Sequence, residues 1–390
     1  MIRNKITSLR AIRPFSDTKA EPSSSESALQ STLSMPAEWE SHEGTWLGWP
    51  HELTDWPGKF PPIPWAFAEI VRHLARVEKI FLLVESAAAE KRVRSILGKS
   101  GADLEAIHFF RIPTDRGWMR DSGPIAVFDS SGARGPTKQN GRRPVVFLNF
   151  AFNGWAKYSD HKKDAQVVAR SLKTFHSNRR PRVLLPLHNG RRVVLEGGSV
   201  DVNGRGTLLT TEECLLSDIQ ARNPGFTKDD YVVIFRRYLG VTNVLWLKNG
   251  IAGDDTHGHI DDLARFIDPN TVVTVVEEDP SEVNYAALQE NLELLREMHD
   301  QDGRPLRIET LPMPAPVYFG GQRLPASYAN FYIANKILLV PTFNDPADRV
   351  ALDTLARLFP AREVVPIYCR DLVLGLGTIH CMTQQFPESV

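Results

Sequence analysis

The stretch Gly-Leu-Gly-Thr-Ile-His-Cys-Met-Thr-Gln-Gln, residues 375 to 385, holds one of only three cysteines in a chain of 390 residues. Cys381 follows a turn marked by two glycines. A single thiol in this setting is a candidate nucleophile rather than half of a disulfide. The alternative is a small buried apolar residue, which is what most free cysteines are. Other segments of the sequence are needed to distinguish a nucleophile from a buried apolar residue.

Composition excludes several classes of function. Apolar residues make up 42% of the chain, charged residues 24%, and the formal net charge is -1. Such a chain lacks the field that holds nucleic acid or an anionic membrane surface, and no segment approaches the roughly 18 uninterrupted apolar residues of a membrane-spanning helix. Cys214, Cys369 and Cys381 form no Cys-x-x-Cys pair. We therefore expect no disulfides and a cytoplasmic location.

Two regions differ in character. Residues 1 to 34 combine a basic start with a Glu-Pro-Ser-Ser-Ser-Glu-Ser run, which has too few apolar residues to pack, so a flexible N-terminal extension is predicted. An organelle-targeting segment is the alternative interpretation. Residues 35 to 390 are predicted to form a single α/β domain, because no linker interrupts them. Amphipathic periodicity predicts helices at 65–77, 86–98, 160–176, 228–239, 281–299 and 346–359, and β-branched or aromatic runs predict strands at 79–84, 125–128, 145–150, 193–195, 244–247, 271–276, 337–341 and 363–368.

Two short motifs place carboxylates beside glycine turns. In Gly-Trp-Met-Arg-Asp-Ser-Gly-Pro, residues 117 to 124, Asp121 precedes an apolar strand, and such strand ends often carry site residues. The alternative is a structural ion pair between Arg120 and Asp121. In Glu-Gly-Gly-Ser, residues 196 to 199, two glycines allow the backbone close to Glu196. A β-bulge with a solvated Glu196 is the alternative here.

Residues 253 to 262, Gly-Asp-Asp-Thr-His-Gly-His-Ile-Asp-Asp, contain four carboxylates and two imidazoles. These groups can be buried cheaply only if they pair with each other or with a cation. A metal ion is one candidate, because His257-x-His259 resembles the ligand pair of metal-dependent amidohydrolases. That site needs later histidines, however, and only His299 and His380 follow. A guanidinium is the other candidate, because it is planar, stays charged and binds carboxylates in bidentate fashion.

Seven motifs in order resemble those of the agmatine deiminase and bacterial peptidylarginine deiminase family. They lie at residues 35–40 (Met-Pro-Ala-Glu-Trp-Glu), 45–50 (Thr-Trp-Leu-Gly-Trp-Pro), 118–124, 196–199, 210–216 (Thr-Thr-Glu-Glu-Cys-Leu-Leu), 258–261 and 379–385. The resemblance runs from about Met35 to Pro387. It implies the pentein fold, a five-bladed α/β propeller of ββαβ units around a central active site. A chain of this length can then be one domain.

The resemblance also implies roles for individual residues. Cys381 falls on the nucleophile, His259 on the general acid/base, Asp121 and Asp261 on the carboxylates that hold the guanidinium, and Glu196 on the acid beside the histidine. All five positions are intact.

Further expectations concern the substrate. Trp118 and Asp255 are predicted to contact it, and Asp254, Asp255 or Asp262 could attract its ammonium tail, unless these acids cap turns or pair with Arg265. Two departures from the family pattern bear on specificity. Residues 375 to 378 read Gly-Leu-Gly-Thr where Gly-Gly-Gly-Asn is usual, so Leu376 could narrow the approach to the thiol. Asp262 replaces a usual asparagine.

The implied function is hydrolysis of agmatine to N-carbamoylputrescine and ammonia through a thiouronium on Cys381, with a small guanidine as the partner and no cofactor or metal ion. A homodimer is compatible with the sequence. Conversion of peptide arginine to citrulline is the first alternative. A metal-dependent amidohydrolase and a catalytically silent binding module are the others.

Overall fold

A computed structural model describes residues 31–131, 143–175 and 181–389, and the predicted extension falls outside them up to residue 30. The strands in these ranges are mostly short. They are β1 (Leu33–Ser34), β2 (His42–Gly48), β3 (Lys79–Val84), β4 (Ile107–Arg111), β5 (Ile125–Asp129), β6 (Val145–Leu148), β7 (Arg182–Leu184), β8 (Leu187–His188), β9 (Arg191–Arg192), β10 (Asp201–Val202), β11 (Thr207–Thr211), β12 (Asn243–Leu247), β13 (Ala264–Asp268), β14 (Thr271–Val276), β15 (Arg307–Pro312), β16 (Tyr318–Phe319), β17 (Gln322–Arg323), β18 (Tyr332–Ile333), β19 (Ile337–Thr342), β20 (Glu363–Tyr368) and β21 (Thr383–Pro387).

The α-helices in the same ranges are α1 (Ile63–Leu74), α2 (Ala87–Ser100), α3 (Met119–Ser122), α4 (Val167–Ser171), α5 (Glu212–Leu216), α6 (Lys228–Leu239), α7 (Tyr285–Glu297), α8 (Pro346–Leu358) and α9 (Ile379–Met382). Their ends follow local chemistry. Asp345 caps α8 as part of a capping box with Asp348, and Thr227 does the same for α6 with Asp230. None of the described helices is both long and apolar enough to cross a membrane.

Five sheets repeat one mixed α/β pattern, in which an antiparallel pair is followed by a helix and a strand parallel to the second member of the pair. The sheets run in the orders β21-β2-β3-β4, β1-β5-β6-β7, β10-β11-β12, β13-β14-β15 and β18-β19-β20. Their parallel strands are reached through α1, α4, α6, α7 and α8, because a parallel neighbour requires a crossover. The predicted ββαβ unit is therefore present in this part of the chain.

The first residues of the folded part correct a predicted boundary. Leu33 and Ser34, assigned to the extension, pair with Asp129 and Phe128 of β5. Leu33 is buried, and the amide of Met35 donates to the carbonyl of Leu239. An apolar residue with a strand partner at hand is more stable packed than solvated. The fold therefore begins at least two residues before Met35.

Two other predicted elements differ from the structure. The helix expected over 160–176 shrinks to α4, with 3₁₀ turns at Asp164–Gln166 and Leu172–Thr174. Asp164 uses its carboxylate to accept the amides of Asp115 and Arg116, which ties this segment to another loop. The strand expected over 193–195 is reduced to an isolated bridge between Ala151 and Val194.

The five sheets each place a buried polar side chain at the same position of the repeated unit. In each sheet the segment that enters the first strand of the antiparallel pair carries a buried polar side chain. These are Asp121 before β5, Glu196 before β10, Asp261 before β13, Asn330 before β18 and Cys381 before β21. Five separate stretches of sequence thus contribute to one group of side chains.

Candidate active site

Cys381 lies on α9, directly before β21. The turn that leads to it needs a glycine at position 377, because a Cβ there would stand 2.9 Å from the indole of Trp118 and 3.0 Å from the Cβ of Cys381. The preceding residue, Leu376, has a left-handed backbone with φ of 67°, which is strained for a side chain of its size. The turn therefore places Gly377 against both the Trp118 ring and Cys381.

Asn330 holds the thiol from the other side. Its side-chain Nδ2 lies 3.1 Å from the Sγ of Cys381 and 3.0 Å from an oxygen of Asp262. Its Oδ1 accepts hydrogen bonds from the hydroxyl of Thr378 at 2.7 Å and the amide of His380 at 3.0 Å. These contacts fix which end of the amide faces the sulfur, so an N–H is directed at the thiol.

His259 is the centre of the carboxylate group. Its Nδ1 lies 3.9 Å from oxygens of both Asp121 and Asp261, and its Nε2 lies 3.7 Å from an oxygen of Glu196. The ring is buried, and neither nitrogen has a hydrogen-bond partner among the described residues. Burial alone would lower the pKa of His259, but the charge of Asp121 and the contacts with Cys214 and Glu196 hold it well above its ordinary value. The imidazole is therefore held in its protonated form and can act as a general acid.

Glu196 is a permanent anion beside this ring. It is fully buried, which opposes ionisation, but Arg222 donates its Nε–H to both carboxylate oxygens at 3.1 and 3.3 Å. The guanidinium outweighs burial and lowers the pKa of Glu196 to about 2. Arg222 also donates to the carbonyl of Thr256. It therefore connects Glu196 to the loop that carries His259.

Asp121 is held by two neutral donors. The amide of Gly198 lies 3.1 Å from one oxygen and the indole Nε1 of Trp155 lies 2.8 Å from the other. Position 198 must be glycine, because a Cβ there would come within 2.5 Å of the ring of His259. Burial raises the pKa of Asp121 to about 6, and the nearby charges of Asp261 and Glu196 add to that effect.

Asp261 differs from Asp121 in its partner. One oxygen, Oδ2, lies 2.7 Å from Nδ1 of His380 and 3.7 Å from the Sγ of Cys381. The other oxygen, Oδ1, is buried without a hydrogen-bond partner. Burial opposes ionisation, but the hydrogen bond from His380 outweighs it and lowers the pKa of Asp261. This carboxylate is thus charged and has one free oxygen.

The surrounding acids act on the thiol. Burial raises the pKa of Cys381 well above its ordinary value, and the charges of Asp261, Asp262 and Asp121 raise it further. The hydrogen bond from Asn330 works in the opposite direction. The group as a whole keeps the thiol protonated, and a cation placed among these carboxylates would favour the thiolate.

The remaining predicted substrate contacts lie at the edge of this group. Trp118 packs against the turn of Cys381 and donates its Nε1–H to Asp55 at 3.1 Å. Asp255 has partners of its own, because its oxygens bind Nζ of Lys157 and the hydroxyl of Tyr158. Its charge is therefore already matched by a lysine.

Asp254 and Asp262, for which the sequence left open a contact with the substrate or a structural role, both have partners of their own. Asp254 caps a turn and accepts the amides of Gly258 at 2.7 Å and His259 at 3.1 Å. Asp262 binds Asn330. The turn-capping alternative therefore holds for Asp254, while Asp262 supports the residue that contacts the thiol.

The two histidines of the His257-x-His259 pair face different partners. His257 has a left-handed backbone with φ of 64°, and its Nε2 lies 3.1 Å from the hydroxyl of Ser217. In the described ranges, two groups bring three potential metal ligands within 4.8 Å of one another, and neither contains His257: Glu196, Cys214 and His259, and Asp261, Asp262 and Cys381. Arg222 already neutralises the acid of the first group. The pair is thus not arranged as the shared ligand set of an amidohydrolase.

Several residues that contact the site escaped the sequence analysis. Asn330 lies outside every quoted motif. Glu38, His380 and Cys214 lie within motifs but received no role, and Trp155 and Arg222 received no interpretation. Position in the repeated unit is the signal that could have found Asn330, because four of five units supply a predicted residue at the same place.

The chain is similar to known deiminases in both sequence and fold. The sequence profile of the Porphyromonas-type peptidyl-arginine deiminases matches residues 34–387. The agmatine deiminase of Pseudomonas aeruginosa strain LESB58 is 35% identical over 376 residues, which cover 90% of this chain and 95% of that protein. The structure of the Enterococcus faecalis agmatine deiminase superposes with a TM-score of 0.80 at 29% identity, over 92% of this chain and 97% of that one. A C. jejuni agmatine deiminase variant with substrate bound gives a TM-score of 0.77 at 28% identity, with the same coverages.

Proposed function

Because the chain belongs to the Porphyromonas-type peptidyl-arginine deiminase family and its close relatives include agmatine deiminases, we propose that it hydrolyses agmatine to N-carbamoylputrescine and ammonia. One observation carries the proposal. Cys381, His259, Asp121, Asp261 and Glu196 come from four separate segments of the sequence, yet they form one connected buried group. A thiol, a proton carrier and acids for a planar cation are the inventory that guanidine hydrolysis needs.

Substrate binding is the first step. Asp121 and Asp261 hold the guanidinium nitrogens and keep the cation charged, so the central carbon stays electrophilic. Both carboxylates are anchored from behind, Asp121 by Trp155 and Asp261 by His380. Orientation of this kind can contribute several kcal/mol of the barrier. The bound cation and the protonated His259 both offset the negative charges that keep Cys381 protonated, so the thiol proton passes to solvent and the thiolate forms.

Bond changes then follow in two halves. The thiolate of Cys381 adds to the guanidinium carbon, and the protonated His259 gives its proton to the departing nitrogen as the C–N bond breaks and ammonia leaves. This gives an S-alkylthiouronium on Cys381. In the second half His259 deprotonates a water, the resulting hydroxide adds to the same carbon, and the C–S bond breaks to release the ureido product. Glu196 stabilises the protonated imidazole, and no metal ion or organic cofactor takes part.

We further infer that the five sheets are the blades of a pentein propeller, with the reacting groups at its centre. Each blade then contributes one residue from the segment entering its first strand. The cytoplasmic location and the homodimer stay predictions. The predicted independence of the N-terminal extension from the catalytic domain stays a prediction only up to residue 30, because Leu33 and Ser34 pair with β5.

The burial of the thiol favours a substrate with a thin linear chain over a peptide. Cys381 is only 5% exposed, and Trp118, which packs against the same turn, is 7% exposed. A buried thiol is easier to reach with a linear alkyl guanidine than with an arginine flanked by peptide backbone. The acids around it also repel the α-carboxylate of free arginine.

Ammonia release from agmatine, free arginine, a blocked arginine and an arginine peptide tests the proposal. We expect kcat/KM for agmatine to exceed that for free arginine by about 100-fold, the scale of discrimination that buried charges provide. A preference for the peptide would replace the substrate and leave the chemistry in place. Ammonia from none of the four would reject the deiminase assignment.

A further inference from the structure

His380 precedes the proposed nucleophile in the chain and exchanges no proton in the reaction proposed above. It is 2% exposed. Its Nδ1 lies 2.7 Å from Oδ2 of Asp261, and its Nε2 lies 2.8 Å from Oε2 of Glu38. Ionised carboxylates only accept hydrogen bonds, so both ring nitrogens must donate. The ring therefore connects two acids, one of which belongs to the site.

Glu38 is a fixed anchor for that ring. Its Oε1 accepts the amide of Ile333 at 2.9 Å and lies 2.9 Å from Nη2 of Arg265, while its Oε2 accepts from Nη2 of Arg120 at 3.1 Å. Burial would raise the pKa of Glu38, but these two guanidinium groups and His380 lower it well below its usual range. These partners fix the carboxylate of Glu38 in place, so Glu38 holds the ring of His380 in one position.

Asp261 depends on the ring for its orientation. A carboxylate can rotate broadly about its last torsion, and Oδ1 of Asp261 has no hydrogen-bond partner to prevent this. In the described structure two side chains contact Oδ2 of Asp261, His380 at 2.7 Å and the thiol of Cys381 at 3.7 Å, and the bond from His380 is the shorter and stronger of the two. With Oδ2 held there, Oδ1 lies 3.9 Å from Nδ1 of His259, on the side of the reacting groups.

We propose that His380 is a positioning residue for guanidinium binding: anchored by Glu38, it fixes one oxygen of Asp261 so that the other is free to bind the substrate cation. The inference rests on the proposed deiminase function. It assigns to His380 an effect that passes through Asp261 alone, which separates it from a general role in stability.

A double-mutant cycle tests this dependence. His380→Gln removes one of the two ring donors, so we expect kcat/KM for agmatine to fall by 10- to 100-fold, mainly through KM. In the Asp261→Asn background the same substitution should cost less than threefold, because the carboxylate it positions is gone. An equal loss in both backgrounds, or no loss in the wild type, would overturn the proposal.

His42→Gln is the matched control. His42 is also a buried imidazole, and its Nε2 lies 2.7 Å from the carbonyl oxygen of Glu38, but it makes no contact with Asp261 in the described structure. We expect it to lower the melting temperature as much as His380→Gln while changing kcat/KM by less than threefold. A loss of kcat/KM as large as that of His380→Gln would assign the effect to the fold.

Thiol alkylation gives a second measurement that does not require turnover. The cationic reagent 2-chloroacetamidine should modify Cys381 faster than neutral iodoacetamide, because the amidinium binds among the carboxylates. His380→Gln should reduce that preference at least fivefold, and His42→Gln should leave it unchanged. If wild type releases no ammonia from any guanidine, the proposed function fails while this ratio still decides the role of His380. An unchanged ratio in His380→Gln would reject that role.

Discussion

The side-chain amide of Asn330 lies 3.1 Å from the thiol sulfur of Cys381, with an N–H directed at it. This hydrogen bond opposes the effect of three surrounding acids on the pKa of the thiol. Asn330→Ala should therefore raise that pKa further and lower kcat on agmatine at least tenfold. Asn291→Ala, which removes another buried asparagine that binds only backbone groups of residues 248 and 249, is the control. Equal kcat in the two variants would show that the amide has no effect on the thiol.

In the proposed mechanism Cys381 makes a covalent bond with the substrate that no other group replaces. Cys381→Ala should abolish ammonia release while leaving the melting temperature and the affinity for agmatine largely intact. Cys369→Ala is the matched control, because Cys369 is equally buried, its thiol pKa is raised mainly by burial, and it lies at a strand end without contact to the site. Cys214 is unsuitable as a control, since it lies beside His259. Turnover at the wild-type rate in Cys381→Ala would refute the mechanism.

The two guanidinium acids should each be required. Asp121→Asn and Asp261→Asn keep the shape of the side chain and remove its charge, so each should cost at least about 2 kcal/mol of transition-state stabilisation, or about thirtyfold in kcat/KM. Asp129→Asn alters a buried acid that pairs with Arg182 instead, and it should change kcat/KM little. Near-normal kinetics in both site variants would mean that the substrate binds elsewhere.

Asp121 should govern the acidic limb of the pH profile. Its pKa is raised to about 6, and only its ionised form attracts a guanidinium. Below about pH 6 the carboxyl is neutral, so kcat/KM for agmatine should fall about tenfold per pH unit. Asp121→Asn cannot titrate at this position, and its smaller kcat/KM should lose that dependence near pH 6. If the limb persists there, another group is responsible.

The edge of the fold can be tested by comparing chains that begin at Ser31 and at Met35. The shorter chain loses the pairing of Leu33 and Ser34 with β5 and the burial of Leu33, worth about 2 kcal/mol. We expect its melting temperature to be several degrees lower, with agmatine kinetics unchanged. Identical melting curves would restore the boundary predicted at residue 35.

Periodicity predicted the elements that have strong local signals. Helices α6 and α8 carry both an amphipathic face and a capping box, and their predicted bounds agree closely with the structure. Strand β2 was not predicted, although it lies between β21 and β3. It reads His-Glu-Gly-Thr-Trp-Leu-Gly, and its two glycines weaken the strand pattern. Gly44 is explained only by the partner strand, because a Cβ there would meet the carbonyl of Lys79.

In the site too, some features could be predicted from local sequence and others could not. The five residues assigned by resemblance do come together, and the glycines at 198 and 377 make room for their side chains. Contacts between residues that are distant in sequence could not be predicted, because the sequence around each residue does not indicate its partner. Asn330 approaches Cys381 from a position 51 residues away, and nothing in its own segment indicates this. The acid Asp255 was expected to meet the substrate, but its charge is taken by Lys157, 98 residues distant.

The strand that follows the nucleophile also pairs with the first long strand of the fold: β21 lies antiparallel to β2, with Gln384 opposite Trp46. During synthesis on the ribosome, β2 emerges more than three hundred residues before this neighbour exists and keeps one open edge until then. The thiol leaves the exit tunnel with that last strand. In the proposed mechanism, nascent chains therefore carry the two acids that bind the guanidinium before Cys381 has been synthesised, and catalysis begins only after β21 has joined β2.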